Sequence, residues 1–300
     1  MDQILFLELM LIVDASAEEN DPRETKQALR RLKKKGYDDT EAHAALAGML
    51  AKAGNIQEPK DLHGTKPAFA KLLQKLVKGK LNRAQVNACI PEEMDAARLI
   101  YAVVHLEDTE ENDAETVRLY QKYGDAFWKF VVSKTKEYGI TDYRAFHEKM
   151  TKDGVNFMRL TSRISQSCYY AGAFEEETDI SRHLLTDLTY EEHSADQLAL
   201  LCNLTRGLSQ LGRDEEVLQY QEAYEKYNPG TGFPEFTRLW IAKDKEDHKE
   251  AARQAELLMQ HTWKDPRLTD MIMEDCKEAF QLNDQPELAE EAEKRRQALQ

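Results

Sequence analysis

The chain has 300 residues, 41% of them hydrophobic and 32% charged, with 13 Gly, 8 Pro and a formal net charge of −14. That length corresponds to about two domains at roughly 100–200 residues each. The composition excludes a collagen, a Pro/Gly-rich disordered chain and a chain too polar to bury a core, and a helix-rich soluble protein is expected.

Residues 4–13 form the longest strongly apolar run, interrupted by Glu8. No basic residue precedes it and no small-residue cleavage site follows closely, so a signal peptide is not expected. The run is also far short of the ~20 residues a membrane helix needs, and it reads as a buried first helix. Asp21-Pro22 supplies an N-cap and a first-turn proline, and TKQALRRLKKKG closes at Gly36 behind cations that complement the helix dipole. Asp38 and Glu41 fit a capping box opening a helix that runs to Gly54. Residues 55–67, with two prolines and a glycine, read as a loop. Helical patterns follow over 68–77, 92–106, 114–123, 126–138 and 143–150. Leu99, Ile100, Val103, Val104 and Leu106 form the core-facing stripe of the second of these. No alternating strand with a hairpin turn is found, so the expected fold class is all-α.

From Gly154 onward the pattern becomes one of paired helices. In residues 198–229, Leu201, Leu204, Leu208 and Leu211 stripe a first helix, Gly212 permits a tight turn, and Val217, Tyr220 and Tyr224 stripe a second before Asn228-Pro229. Two amphipathic helices on so short a turn lie antiparallel, and neighbouring pairs must stack to bury their stripes. This unit resembles the tetratricopeptide repeat, a helix pair of about 34 residues. The preceding stretch fits the same frame, with Gly172 answering Gly212, and residues 234–263 and 267–299 give a third and a fourth pair. Residues 19–50 resemble a short helical module of uncharacterised bacterial proteins, through Asn20-Asp21-Pro22, Glu24-Thr25, Arg31-Leu32, Gly36-Tyr37 and Glu41-Ala42-His43. The expected organisation is an N-terminal module over 1–54, a basic linker and helix over 55–90, a helical segment over 91–154 and tetratricopeptide-like repeats over 155–300.

The tetratricopeptide resemblance implies a concave surface lined by first helices. By position it assigns Arg159, Ser162, Gln166, Tyr169 and Tyr170 to that surface from the first pair. Cys202, Arg206, Ser209 and Gln210 come from the second pair, and Phe236 and Trp240 from the third. Tyr, Trp and Arg are the types enriched at binding hot spots. The implied function is a non-catalytic protein-binding or scaffold protein, with a protein or peptide ligand.

Charge supplies the alternative. Residues 1–83 carry 15 Lys+Arg against 12 Asp+Glu, whereas residues 84–300 carry 26 against 43. The cations concentrate in residues 23–35 and 60–83. Arg30, Lys33 and Lys34 fall on the outer side of one helix, and Lys71, Lys75 and Lys78 on another. An RNA- or nucleic-acid-associated factor is therefore the second reading, although only Tyr37 and Phe69 interleave these stretches with aromatic rings.

No catalytic motif appears: there is no GxSxG elbow, Walker A loop, GxGxxG fingerprint or HExxH pair. Glu41 and His43, two positions apart, face different ways on a helix and cannot chelate together. The other histidines are scattered, so no cofactor or metal is expected. Glu175–Glu177 and Glu215-Glu216 begin second helices, where they complement the dipole. Cys89, Cys168, Cys202 and Cys276 have no metal-ligand or redox spacing, which suits buried thiols in a reducing cytoplasm.

Overall fold

The computed structural model describes residues 2–56, 65–91, 93–106, 109–191, 194–227, 230, 232–263 and 265–298. It is all-helical, with 78% of the described residues in helices. Among the described residues there is no strand, only an isolated bridge between Asp142 and Thr189. None of the helices described is long and apolar enough to cross a membrane. The chain divides into two compact units, Met1–Ile140 with His147–Ser167, and Thr141–Phe146 with Cys168–Gln300. Residues 1–140, expected as three segments, thus lie in one unit, whereas 141–146 fall in the second and 155–167, expected in the repeats, in the first.

The first unit contains α1 (Gln3–Glu18), α2 (Glu24–Lys34), α3 (Asp39–Gly54), α4 (Lys66–Val77), α5 (Arg83–Asn87), α6 (Asp95–His105) and α7 (Glu110–Tyr138). Two further helices, α8 (Tyr143–Lys152) and α9 (Phe157–Tyr170), are shared between the units. Helix α3 is the hub, packed by α1, α2, α4, α5 and α6. Its sequence explains this position. Every residue from Ala42 to Ala51 is buried, and most are Ala or Gly, so neighbours can approach on all sides. The expected capping box opens it: Glu41 N donates to Asp38 Oδ1 at 2.7 Å and Asp38 N to Glu41 Oε2 at 3.2 Å. Asn55 closes it in the left-handed conformation.

Three expectations are corrected in this unit. Helix α2 begins at Glu24 with Arg23 at the N-cap and no side-chain cap, rather than at Asp21-Pro22. The two helices expected over 114–123 and 126–138 are one continuous α7. Gly124 stays helical because Tyr120, Tyr123, Phe127 and Trp128 are all buried around it, outweighing the ~1 kcal/mol that glycine costs in a helix. Val104 is 64% exposed, off the stripe of Leu99, Ile100 and Val103. Most of the loop expected over 55–67 lies outside the described residues.

The second unit continues with α10 (Phe174–Asp187), α11 (Ala195–Gln210), α12 (Asp214–Tyr227), α13 (Phe233–Asp244), α14 (His248–Leu258), α15 (Pro266–Leu282) and α16 (Pro286–Gln297). The turns α9–α10, α11–α12, α13–α14 and α15–α16 are built alike. Each leaves three residues between helices, the middle one left-handed: Gly172 (φ 68), Gly212 (φ 69), Glu246 (φ 57) and Asp284 (φ 54). The following amide donates back to a carbonyl five residues earlier each time: Ala173 to Cys168, Arg213 to Leu208, Asp247 to Ala242, and Gln285 to Phe280. First helices pack on first helices (α11 on α13, α13 on α15), and each second helix packs on the next first helix (α10 on α11, α12 on α13, α14 on α15). The core between them runs from Leu198 and Leu201 through Phe236, Leu239 and Leu258 to Ile272, Cys276 and Phe280.

A side chain in the left-handed region costs about 1–2 kcal/mol, and glycine's extra freedom in the unfolded chain costs about 0.5–1 kcal/mol. Gly172 and Gly212 have open space around the position of a Cβ, so backbone conformation alone decides the effect there. Gly212→Ala is expected to destabilise the second unit by about 1 kcal/mol. Glu246→Gly, at the equivalent turn, should stabilise it by a few tenths. Thermal denaturation of both variants beside the parent checks the pair of signs.

Candidate functional site

Helix α11 carries Arg206 on the side facing its neighbours. The guanidinium carbon lies 4.0 Å from the Tyr169 ring centre and 5.0 Å from that of Trp240, so the cation is held between two aromatic faces. Nη2 donates to Glu177 Oε1 at 2.9 Å, and Nε stands 3.9 Å from Asp244 Oδ2. Glu177 comes from the first turn of α10 and is fully buried. Gly207 lets the helices approach this closely, since a Cβ there would come within 2.8 Å of Thr178 Cγ2. Burial pushes the Glu177 and Asp244 carboxyls up, against the pull of Arg206.

The pattern repeats one helix further on. Lys243 Nζ donates to Asp275 Oδ1 at 2.8 Å and to Glu278 Oε2 at 2.5 Å, and lies 5.1 Å from the Trp240 ring centre. Burial pushes the Asp275 carboxyl up, offset in part by Lys243. Successive first helices are therefore joined by charges of alternating sign. Several buried polar atoms in this region have no hydrogen-bond partner: Glu177 Oε2, Ser181 Oγ, Arg206 Nε, Thr237 Oγ1, Trp240 Nε1 and Asp244 Oδ2.

Of the residues expected on a binding surface, Tyr169, Arg206 and Trp240 come together here. Tyr170 is 70% exposed, with its ring 5.6 Å from that of Tyr169. Gln210 is exposed and Ser209 half-buried. Arg159, Ser162 and Gln166 are exposed on the part of α9 that belongs to the first unit. Phe236, Cys202 and Arg206 are corrections: they are 1%, 5% and 8% exposed, so none presents an open surface. Phe236 turns to the core side of α13, edge-on to Trp240, and Arg206 is engaged by Glu177. Sequence reasoning missed Glu177, Lys243, Asp244 and Asp275. Glu177 reads as a helix-dipole acid from its position, and only the adjacent helix reveals its partner. The spacing of Trp240, Lys243 and Asp244, three and four apart on one helix face, was the available signal.

In the first unit a second network stands on the Asp14 carboxylate. Oδ1 lies 3.0 Å from His43 Nε2, and Oδ2 lies 2.9 Å from His105 Nε2 and accepts from the Tyr101 hydroxyl at 2.8 Å. His43 Nδ1 is 2.8 Å from the Asp39 carbonyl and His105 Nδ1 is 2.7 Å from the Tyr101 carbonyl. A carbonyl only accepts, so both Nδ1 atoms carry hydrogen and both rings are fixed in orientation. Burial, then the Asp14 carboxylate, pushes the Tyr101 phenol far above its usual range. The network ties α1, α3 and α6 together. His43 and His105 are 62 residues apart, so spacing alone gave no hint of it. Among the described residues no group of three or more His, Cys, Asp or Glu is arranged to hold a metal ion.

A cleft of about 420 Å3 in the same unit is lined by Tyr37, Glu41, Arg83, Asn87, Asp95 and Arg98, among others. Within it Arg98 donates to Asp95 at 2.9 Å and Arg83 lies over the Tyr37 ring. The cations of the second reading, Arg30, Lys33, Lys34, Lys71, Lys75 and Lys78, are all exposed on α2 and at α4. No protein-family model matches the chain, and neither a curated protein nor a solved structure is detectably similar to it.

Asp14→Asn removes the charge from all three interactions and leaves a poorer acceptor facing the buried Tyr101 and His43. It should destabilise the α1–α3–α6 junction by about 1–3 kcal/mol. Native-state hydrogen exchange should show this loss in α3, with α11 and α13 unchanged. Unaltered exchange in α3 would mean that the network does not hold the junction.

Proposed function

We propose that the chain is a non-catalytic binding or scaffold protein whose tetratricopeptide-like hairpins hold an extended protein segment along their first helices. The observation that carries this reading is Tyr170, a large aromatic left open beside Tyr169, whose own ring is anchored on Arg206 with Trp240 on the guanidinium too. Large aromatics held in place by well-packed neighbours are enriched at binding hot spots. Support also comes from the four alike turns, which repeat one hairpin geometry and so set first helices side by side.

Charge narrows the ligand. Thr141–Phe146 with Cys168–Gln300 contain 16 Lys+Arg against 30 Asp+Glu, a net of −14, whereas the first unit balances. A cationic segment is the complementary partner, since Tyr and Trp faces and carboxylates both favour Lys and Arg. All four cysteines are free thiols, three of them buried, which supports a reducing compartment such as the cytoplasm.

The test is binding of a synthetic library of extended Lys/Arg-containing peptides to the full chain. Tyr170→Ala should weaken the selected peptides about tenfold, a loss of roughly 1–2 kcal/mol, with circular dichroism unchanged. Equal affinity of parent and variant, or selection of acidic peptides, would overturn the reading.

A further inference from the structure

The two cation-rich stretches, some 40 residues apart in sequence, lie side by side in the fold. Helices α2 and α4 pack on each other and both pack on α3, so their outer faces look the same way. The seam is specific. Arg31 Nη1 donates to the Val77 carbonyl at 3.0 Å, Lys35 Nζ to that of Leu81 at 3.2 Å, and Gln74 Nε2 to Glu24 Oε1 at 3.0 Å. Glu24, Arg31 and Lys35 thus face α4, while Thr25, Ala28, Leu29 and Leu32 face the core. Outward on α2 stand Lys26, Arg30 and Lys34, an i, i+4, i+8 stripe, with Gln27 and Lys33 also exposed beside it. On α4, Phe69, Leu73 and Leu76 are buried, and Lys71, Lys75 and Lys78 form the outward stripe.

All six of these cations are exposed, and none makes an ion pair among the described residues. Other cations of the same stretches are neutralised locally, Lys33 by Asp39 and Lys66 by Asp21. Two parallel rows of uncompensated charge on one surface lack a partner among the described residues of the first unit.

We propose that the α2–α4 face is a docking surface for duplex nucleic acid, held through its phosphate backbone. The inference stands independently of the peptide surface on the second unit. Three observations select this occupant. The large hydrophobics left exposed among the described residues are Leu11, Val104, Tyr170, Leu218 and Leu282, none on α2 or α4, so the face has nothing to insert into a bilayer. Its aromatics, Tyr37 and Phe69, are 6% and 2% exposed, which removes the stacking platform that single strands need. With five lysines among six cations, and no open Tyr or Trp, it also lacks the residues that anchor protein interfaces. Lysine rows do suit closely spaced phosphates, which are bound by charge without reading sequence.

The test uses the full chain and a short, fluorescently labelled DNA duplex of mixed sequence, with anisotropy followed as salt rises. Binding should weaken steeply and linearly on a log–log plot, and exchanging the sequence should leave affinity unchanged. Lys71→Ala, Lys75→Ala and Lys78→Ala combined should lower affinity at least tenfold at low salt. The same variant should reduce the slope by roughly 2–3, at about 0.9 for each phosphate no longer neutralised. Lys129→Ala with Lys136→Ala, which removes two exposed cations of α7, should change neither quantity. The proposal is overturned by no binding at low salt or by equal losses in the two variants. It is equally overturned if polyglutamate or phosphatidylserine vesicles bind more tightly than the duplex.

Discussion

The second unit is organised around a single guanidinium. Arg206 stands on α11, yet it touches Tyr169 at the end of α9, Glu177 in the first turn of α10, and Trp240 and Asp244 on α13. Three successive hairpins therefore meet at one side chain. A buried carboxylate such as Glu177 is tolerated only while a cation answers it, and a cation so enclosed needs the two aromatic faces that flank it. Apolar packing alone allows helices to slide by small amounts, whereas this arrangement admits few alternative registers. The Lys243–Asp275 pair extends the same logic to α15.

How much of this was legible in the sequence depended on the range of the interactions concerned. The capping box at Asp38 and Glu41 and the turns at Gly36, Gly172 and Gly212 are local, decided by residues within a few positions, and the sequence pattern located each of them. The break expected at Gly124 shows local propensity losing to burial: one helix-weakening residue was overruled by four buried aromatics around it. The non-glycine turns at Glu246 and Asp284 carried no turn signal, and only their identical hydrogen bonds reveal that they match the glycine turns. The candidate sites were the least legible part. Tyr169, Arg206, Gln210 and Trp240 were singled out by position within the helix pairs, but their carboxylate partners lie on other helices. Glu177 is 29 residues from Arg206, and Asp14 is 87 from Tyr101. Such pairings are fixed by packing and leave no periodic trace.

The electrostatic division between the units is also a product of folding. The sequence places a modest positive excess in residues 1–83, but the first unit as a whole is balanced and the second holds the entire net charge. Within the first unit, Arg98 pairs with Asp95, Lys33 with Asp39 and Lys66 with Asp21, and two rows of unpaired cations lie on α2 and α4. Net charge is thus a poor guide to this chain's partners. The relevant quantity is the local charge that packing leaves unanswered.

The coupling of Arg206 to Glu177 is the central claim, and a double-mutant cycle measures it directly. Arg206→Met keeps most of the apolar stem and Glu177→Gln keeps the shape, so each removes the ion pair with little change in volume. Local stability is read from native-state hydrogen exchange of α10, α11 and α13 in the full chain. Large single losses that fail to add are predicted, with a coupling of about 2 kcal/mol or more. Losses that add to within about 0.5 kcal/mol would contradict it, leaving the hairpins held by apolar packing alone.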